Sequence, residues 1–292
     1  MPHSLDHPPY HCHLILPLPK PHSRKRKRSE YRGRKETMGL KGKPRDMNKW
    51  REVLLDSSVQ FPGESSEYRR SRNDLLERET QLRELNEQVA AQRRALPPGG
   101  LIKEDYVFES AADDPEVRLS ELFAPGKNSL VIYNMMFPRW SEDARAGAPG
   151  GKTAGLPLVE QPCPSCTSVV DGLEGCAFHV AERTNLVVIA RTSPDRLRTY
   201  AQERGWSHLR LLSSRNNTFN RDYHAETPDG VQRAVLHVFS RDEDGIRHQW
   251  TSEMTFKRGD TSALDPVWTL YGVLDLTLEG RGDRAAYPNL QY

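Results

Sequence analysis

Two of the chain's four cysteines lie three residues apart in "QPCPSCTSVV" (161–170), on either side of a proline and a serine. Cysteine attacks and binds metals as the thiolate, so what matters is what lowers its pKa. Cys163 stands where a loop enters a helix, and the unpaired N–H groups and positive dipole end there favour an ionised sulfur. Cys166, one turn further and on the inward face, is expected to stay shielded until the first sulfur forms a mixed disulfide that needs resolving. This predicts a redox couple with Cys163 as nucleophile and Cys166 as resolving thiol. Two other readings stand beside it. Cys163, Cys166, Cys176 and His179 form a C-x2-C-x9-C-x2-H set with zinc-ligand chemistry, or the pair is inert. If 166–179 is one helix, Cys166 and Cys176 are about 15 Å apart along its axis, so the zinc set closes only where Gly172 and Gly175 break it.

Other residues have both a chemical and a structural reading. Arg139 and Trp140 open the long loop before Cys163 and could shape a substrate mouth, or simply be solvated. Tyr223 and His224 in "FNRDYHAE" could approach the cysteines as substrate-binding groups, or serve in capping and packing. His179 is a candidate acid–base partner or a structural histidine. Cys176 reads as a small core residue, and Cys12, between His11 and His13, has no evident task.

The elements that must position these groups can be read from periodicity. "SLVIYNMMF" (129–137) is apolar on both faces, as a covered central strand should be. A 25-residue Gly/Ala/Pro-rich loop (138–162) follows, long enough to be a lid or an insertion. Apolar spacing over Cys166, Val169, Val170, Leu173, Cys176, Ala177 and Val180 predicts a helix from about 164 to 182. "NLVVIAR" reads as a buried strand, and "SPDRLRTYAQERG" as a helix capped by Ser193 and stopped by Gly205. "HLRLL" is a short strand, 234–253 a hairpin turning at Asp244-Gly245, and 264–277 a closing helix with Trp268, Tyr271 and Leu274 on one face. Parallel strands joined by helices, then a hairpin, describe an α/β domain with a mixed sheet covered on both faces.

Upstream the character changes. Residues 66–96 predict one charged helix, with Leu75, Leu82, Val89 and Leu96 at seven-residue intervals; the seam could pack along the domain or form a homodimer. Residues 1–50 carry 13 Lys+Arg against 4 Asp+Glu, while the rest carries 29 against 36. This predicts a disordered basic arm, of the kind that acts as a nuclear address or binds polyanions; nucleic acid is not expected as a partner of the remainder. The domain boundaries expected are 1–50 for the arm, 51–100 for the helical extension and 101–292 for the α/β domain. There is no secretory signal pattern and no apolar run of about 18 residues, so no membrane partner is expected. Four unevenly placed cysteines suit a reducing compartment, and a cytoplasmic location is expected, or a nuclear one if the arm is translated.

From about Arg94 to Tyr292 the chain resembles the thioredoxin superfamily. More narrowly it resembles a family of thioredoxin-like predicted dithiol-disulfide oxidoreductases. The likeness is carried by "DYVFES" (105–110), "SLVIYNMMFPR" (129–139), "CPSC" (163–166), "QERGW" (202–206), "LLSSRNNTFNRDYHAE" (211–226), "DLTLEGRGD" (275–283) and the preceding charged helix. It implies a thioredoxin-like mixed sheet with flanking helices, Cys163 attacking, Cys166 resolving, no bound cofactor and no metal. Protein or small-molecule disulfides or thiols would be substrates, with a separate electron donor. The chain departs from thioredoxins in the length of the segment before Cys163. It also has "GVQRAVLHVF" (230–239) where thioredoxins place a cis-proline entering the strand before the hairpin turn. The alternative in a different class is a non-enzymatic interaction protein that uses this fold as a scaffold.

Overall fold

The computed structural model describes residues 60–112, 116–257 and 261–282. The expected basic arm lies outside them. The chain divides into two units, Met1–Ser71 and Arg72–Tyr292, with the boundary inside the charged helix.

That helix, α1, runs from Ser66 to Arg94 and buries none of its residues. Leu75, Leu82 and Leu85 of the seam are about half exposed. Val89 is partly buried, and Arg93 stacks on the Trp250 ring with 5.0 Å to its centroid.

Beyond α1 come β1 (Gly100–Leu101), β2 (Val107–Ser110), β3 (Glu116–Arg118), β4 (Ser129–Asn134), α2 (Pro164–Ala181), β5 (Asn185–Ala190), α3 (Pro194–Arg204) and β6 (Arg210–Ser213). The chain closes with α4 (Phe219–Asp222), β7 (Val235–Asp242), β8 (Gly245–Thr251), α5 (Met254–Lys257) and α6 (Thr269–Leu274). The eight strands form one sheet in the order β1-β8-β7-β4-β5-β6-β2-β3. Strand β4 lies near its middle, parallel to β5 with Ile132 opposite Val187, and antiparallel to β7 with Ile132 opposite His237. Strands β5 and β6 are parallel, and β7 and β8 form the hairpin. This is the thioredoxin-like mixed sheet with flanking helices, extended at one edge by the antiparallel pair β2 and β3.

The alternation along β4 sorts its side chains between two cores. Leu130 and Ile132 point to the side that holds Phe108, Phe219 and Phe239. Tyr133 points to the other side, where α2 packs through Cys166, Val169, Val170, Leu173 and Ala177. That spacing is one face of a helix, which is why 164–181 coils. Pro164 fits the first turn because it needs no N–H there. Gly172 costs helix propensity of about 1 kcal/mol, yet a Cβ there would stand 3.1 Å from Thr269 Oγ1, so the glycine lets α6 approach closely.

Helix α3 begins and ends as its sequence demands. Ser193 Oγ accepts from the Arg196 N–H at 3.3 Å, and Gly205 takes the left-handed conformation at φ 72°. The closing segment differs from the single helix expected over 264–277. Residues 261–267 form a 3-10 helix containing Pro266, the chain bends at Trp268, and only Thr269–Leu274 is α-helical. Proline cannot donate the i to i−4 bond, so the helix is interrupted. The bend lets Trp268 Nε1 donate to Ser168 Oγ on α2 at 3.1 Å. Among the described residues no helix is long and apolar enough to cross a membrane.

Candidate active site

Strand β4 delivers the chain, at its carboxyl end, to the place where open α/β sheets bind ligands. There the Cys163 N–H donates to Met136 O at 2.9 Å, which fixes the start of α2 against the strand end. Cys163 is the N-cap residue of α2, in extended conformation. Its carbonyl accepts from Thr167 N–H and Thr167 Oγ1, both at 3.0 Å. The Thr167 hydroxyl in turn meets Tyr200 Oη at 2.9 Å.

Both cysteines are free thiols and both are buried. The Cys163 thiol is drawn down to about 6, first by the hydrogen bond from Cys166, then by the charge of Arg145 and the backbone N–H of Cys166, against the opposing pull of burial and of Asp143. Cys166 is pushed up, by burial first and then by its bond to and the charge of Cys163. The Met136 N–H approaches Cys166 Sγ at 3.4 Å. The Tyr133 hydroxyl is buried against Cys166 without forming a well-shaped hydrogen bond. The two adjacent thiols are thus perturbed in opposite directions, Cys163 towards its ionised form and Cys166 towards its protonated form.

The long loop 138–162 covers this pair and is fastened down. Arg139, nearly fully buried, donates from Nη1 to Arg145 O and from Nη2 to Pro162 O, each at 2.8 Å. The Gln161 side chain accepts from Ala148 N–H at 2.7 Å and donates to Leu156 O at 2.8 Å. Glu203 of α3 accepts from Lys152 N–H at 2.6 Å. These bonds set Arg145 over the cysteines: its Nη2 stands 3.4 Å from Cys163 Sγ, its Nη1 donates to Ser165 Oγ at 2.5 Å, and its Nη2 and Nε donate to the Asp143 carboxylate at 2.7 and 2.8 Å.

Beside the pair opens a cavity of about 710 Å³, lined by Cys163 and Cys166 and walled by Met136, Trp140, Val169, Leu264, Trp268 and Tyr271, with Asp143, Arg145 and Ser165 among its few polar groups. Of the residues singled out from sequence, Trp140 is half exposed on this cavity, while Arg139 lies beneath the loop and anchors it. Tyr223 and His224 are elsewhere. Tyr223 packs on the opposite side of the sheet against Phe219, Phe239 and His248, and both line a separate cavity of about 470 Å³. Spacing places Trp268 and Tyr271 on one helix face but does not assign them or Arg145 to this cavity, because their approach depends on loop and tertiary geometry that spacing does not encode.

The zinc set does not converge. Helix α2 is unbroken through Gly172 and Gly175, which keeps Cys166 and Cys176 about 15 Å apart along the axis. Cys176 is half-buried, and its thiol donates to Leu173 O at 3.4 Å.

A mixed sheet whose central strand feeds a cysteine pair at a helix start defines a thioredoxin-like domain. Residues 59–291 match the family described as "Bacterial protein of unknown function (DUF899)", and the chain belongs to it. No curated protein matches the sequence. Among solved structures, peroxidoxin BcpB from Mycobacterium tuberculosis is similar at 15% identity and TM-score 0.36, over 59% of this chain and 98% of that one. A PrxQ mutant from Xylella fastidiosa is similar at 9% identity and TM-score 0.35, over 61% and 97%. An uncharacterized conserved protein from Geobacillus kaustophilus is similar at 15% identity and TM-score 0.32, over 50% and 65%. Likenesses this distant carry nothing about reaction or substrate.

Proposed function

We propose that the protein is a thiol-disulfide oxidoreductase in which Cys163 attacks and Cys166 resolves. The observation that supports this most directly is geometric: two adjacent buried free thiols at a helix start, Cys163 at the N-cap with Arg145 Nη2 3.4 Å from its sulfur and Cys166 one turn further in, an arrangement that lowers the first thiol and raises the second. The Cys163 thiolate attacks a disulfide sulfur, forms a mixed disulfide and expels one thiolate. Cys166 then gives up its proton, attacks Cys163 Sγ, closes the Cys163–Cys166 disulfide and releases the second thiol. Two electrons pass from the pair to the substrate, and an external dithiol donor, oxidised in its turn, restores them. The sparse cysteines of the sequence suit this chemistry to a reducing cytoplasm.

The test is a redox titration of the pair in dithiol buffers with mass readout, alongside Cys163→Ser and Cys166→Ser. Wild type should lose two hydrogens as a single couple, Cys166→Ser should accumulate a mixed disulfide on Cys163, and Cys163→Ser should do neither. Mixed-disulfide formation by Cys163→Ser at the wild-type rate would remove Cys163 from its role.

A further inference from the structure

Resting on the oxidoreductase reading above, we infer that the site's substrates are low-molecular-weight disulfides carrying an apolar, aromatic-sized group, and not peptide or protein disulfides. Access is the first reason. Cys163 is fully buried yet lines the cavity, with Arg145 Nη2 3.4 Å from its sulfur, so a reactant approaches that sulfur from the cavity, past the guanidinium. The bonds of Arg139, Gln161 and Glu203 hold the covering loop in place, so the convex surface of another protein cannot press its disulfide onto that sulfur. At about 710 Å³ the cavity is instead of the size that encloses small ligands, roughly 300–1,000 Å³.

The second reason is that the segment leading to the strand beside the cysteines is already paired with itself. An extended peptide binds by main-chain hydrogen bonds to an unpaired strand. Ala234, at the entrance to β7, lines the cavity, but the chain leading to it is folded back on itself. Arg233 N–H donates to Ala225 O and Thr227 N–H to Val231 O, both at 2.8 Å. Gln232 bridges Glu226 in antiparallel fashion, and its side chain donates to Pro138 O at 3.0 Å.

The walls supply the third reason. Trp268 and Tyr271 stand with ring centroids 4.2 Å apart, and with Trp140, Met136 and Leu264 they present an apolar, aromatic surface. For a substrate RSSR′ the balance is that of the two-step exchange: Cys163 forms a bond to one sulfur as R′S⁻ leaves and takes a proton. Cys166 then displaces RSH. The pair ends as a disulfide, and a dithiol donor returns it to the reduced form.

The experiment compares two electrophiles with the same leaving group. One is 2,2′-dipyridyl disulfide; the other is a pyridyl disulfide on the surface cysteine of a folded carrier protein. Pyridinethione release by the reduced full-length protein is followed, and each rate is divided by that of dithiothreitol. The small probe should react at least tenfold faster after that correction, and Trp140→Ala should slow it roughly tenfold, the scale of one lost apolar contact surface, while alkylation by iodoacetamide is unchanged. Trp140 is half exposed, so the substitution leaves the fold intact; Phe178→Ala, at an exposed aromatic residue outside the cavity, should retain the small-probe rate. Equal corrected rates for the two probes would overturn the inference, as would faster oxidation of the pair by cumene hydroperoxide than by the pyridyl probe. Thione release by Cys163→Ser at the wild-type rate would overturn the oxidoreductase reading itself, a different and separately visible failure.

Discussion

Arg145 Nη2 lies 3.4 Å from Cys163 Sγ, although Arg145 stands 18 positions earlier in the sequence, within the covering loop. A fixed cation at that distance from a buried thiol favours the charged form, and Asp143, paired with the same guanidinium, pulls the other way. Arg145 therefore does two things beside Cys163: its charge favours the thiolate, and its side chain lies against the sulfur.

Arg145→Met should separate these effects. Loss of the charge raises the Cys163 thiol, and one pKa unit corresponds to about tenfold less thiolate below the inflection. Alkylation by iodoacetamide at about pH 5, below both inflections, should fall roughly tenfold on that scale, while the plateau rate at high pH should equal or exceed wild type because the cover is gone. A pH–rate profile whose inflection does not move would show that Cys166 and the helix terminus ionise Cys163 unaided.

The two thiols also make opposite contributions to stability. Cys163 is lowered to about 6, against about 8.5 in the unfolded chain. Between those values the unfolded state binds more protons, so this contribution grows as pH rises and is lost as pH falls through the folded value. Cys166 is raised, so above about 8.5 the unfolded chain releases a proton that the fold retains, and stability declines with further rise. For the reduced protein, urea unfolding should give increasing stability from pH 6 to 8.5. Cys163→Ser should flatten that limb, and an equally steep limb in the variant would assign it to other groups.

Gln161 shows how the loop is held. It is almost fully buried, and its amide bonds Ala148 N–H, Leu156 O and Ala154 O. Gln161→Ala leaves these groups without their partner, a loss of about 1–3 kcal/mol. The loosened loop should also expose Cys163, raising its reaction with a bulky maleimide several-fold more than with iodoacetamide. A variant that is destabilised but keeps the wild-type ratio of the two reagents would show that Gln161 stabilises the fold without gating access.

Much of this arrangement is legible in the sequence where one interaction decides the outcome locally. Apolar spacing fixes α2, Ser193 and Gly205 fix the ends of α3, and the double-sided apolar run fixes β4 near the middle of the sheet. The cysteine pair announces itself by type and spacing. What is not legible depends on where a loop folds. Nothing in "DARAG" marks Arg145 as the residue that reaches Cys163, and nothing in "FNRDYHAE" says that Tyr223 belongs to the opposite face of the sheet. Residues 264–277 follow helical spacing, but Pro266 divides them in two, and spacing alone does not weigh a missing N–H against it.

On that opposite face, His237 of β7 is fully buried, with Nδ1 3.2 Å from His248 Nε2 and no partner for its own Nε2. Burial first, then the proximity of His248 and His224, lowers its pKa well below the usual histidine range. His248 is lowered too, by burial first, with Glu253 acting in the other direction. One proton between the two rings satisfies the contact, whereas two would place like charges among Phe219, Phe239 and Tyr223. As pH falls below about 6.5 the unfolded chain takes up protons that the folded pair refuses, so stability falls with pH. His237→Phe keeps an aromatic ring in the cluster and removes the titrating group. Urea unfolding at pH 7.5 and 5 should therefore show a smaller acid loss in the variant than in wild type, and equal losses would exclude His237 as a group responsible for acid sensitivity.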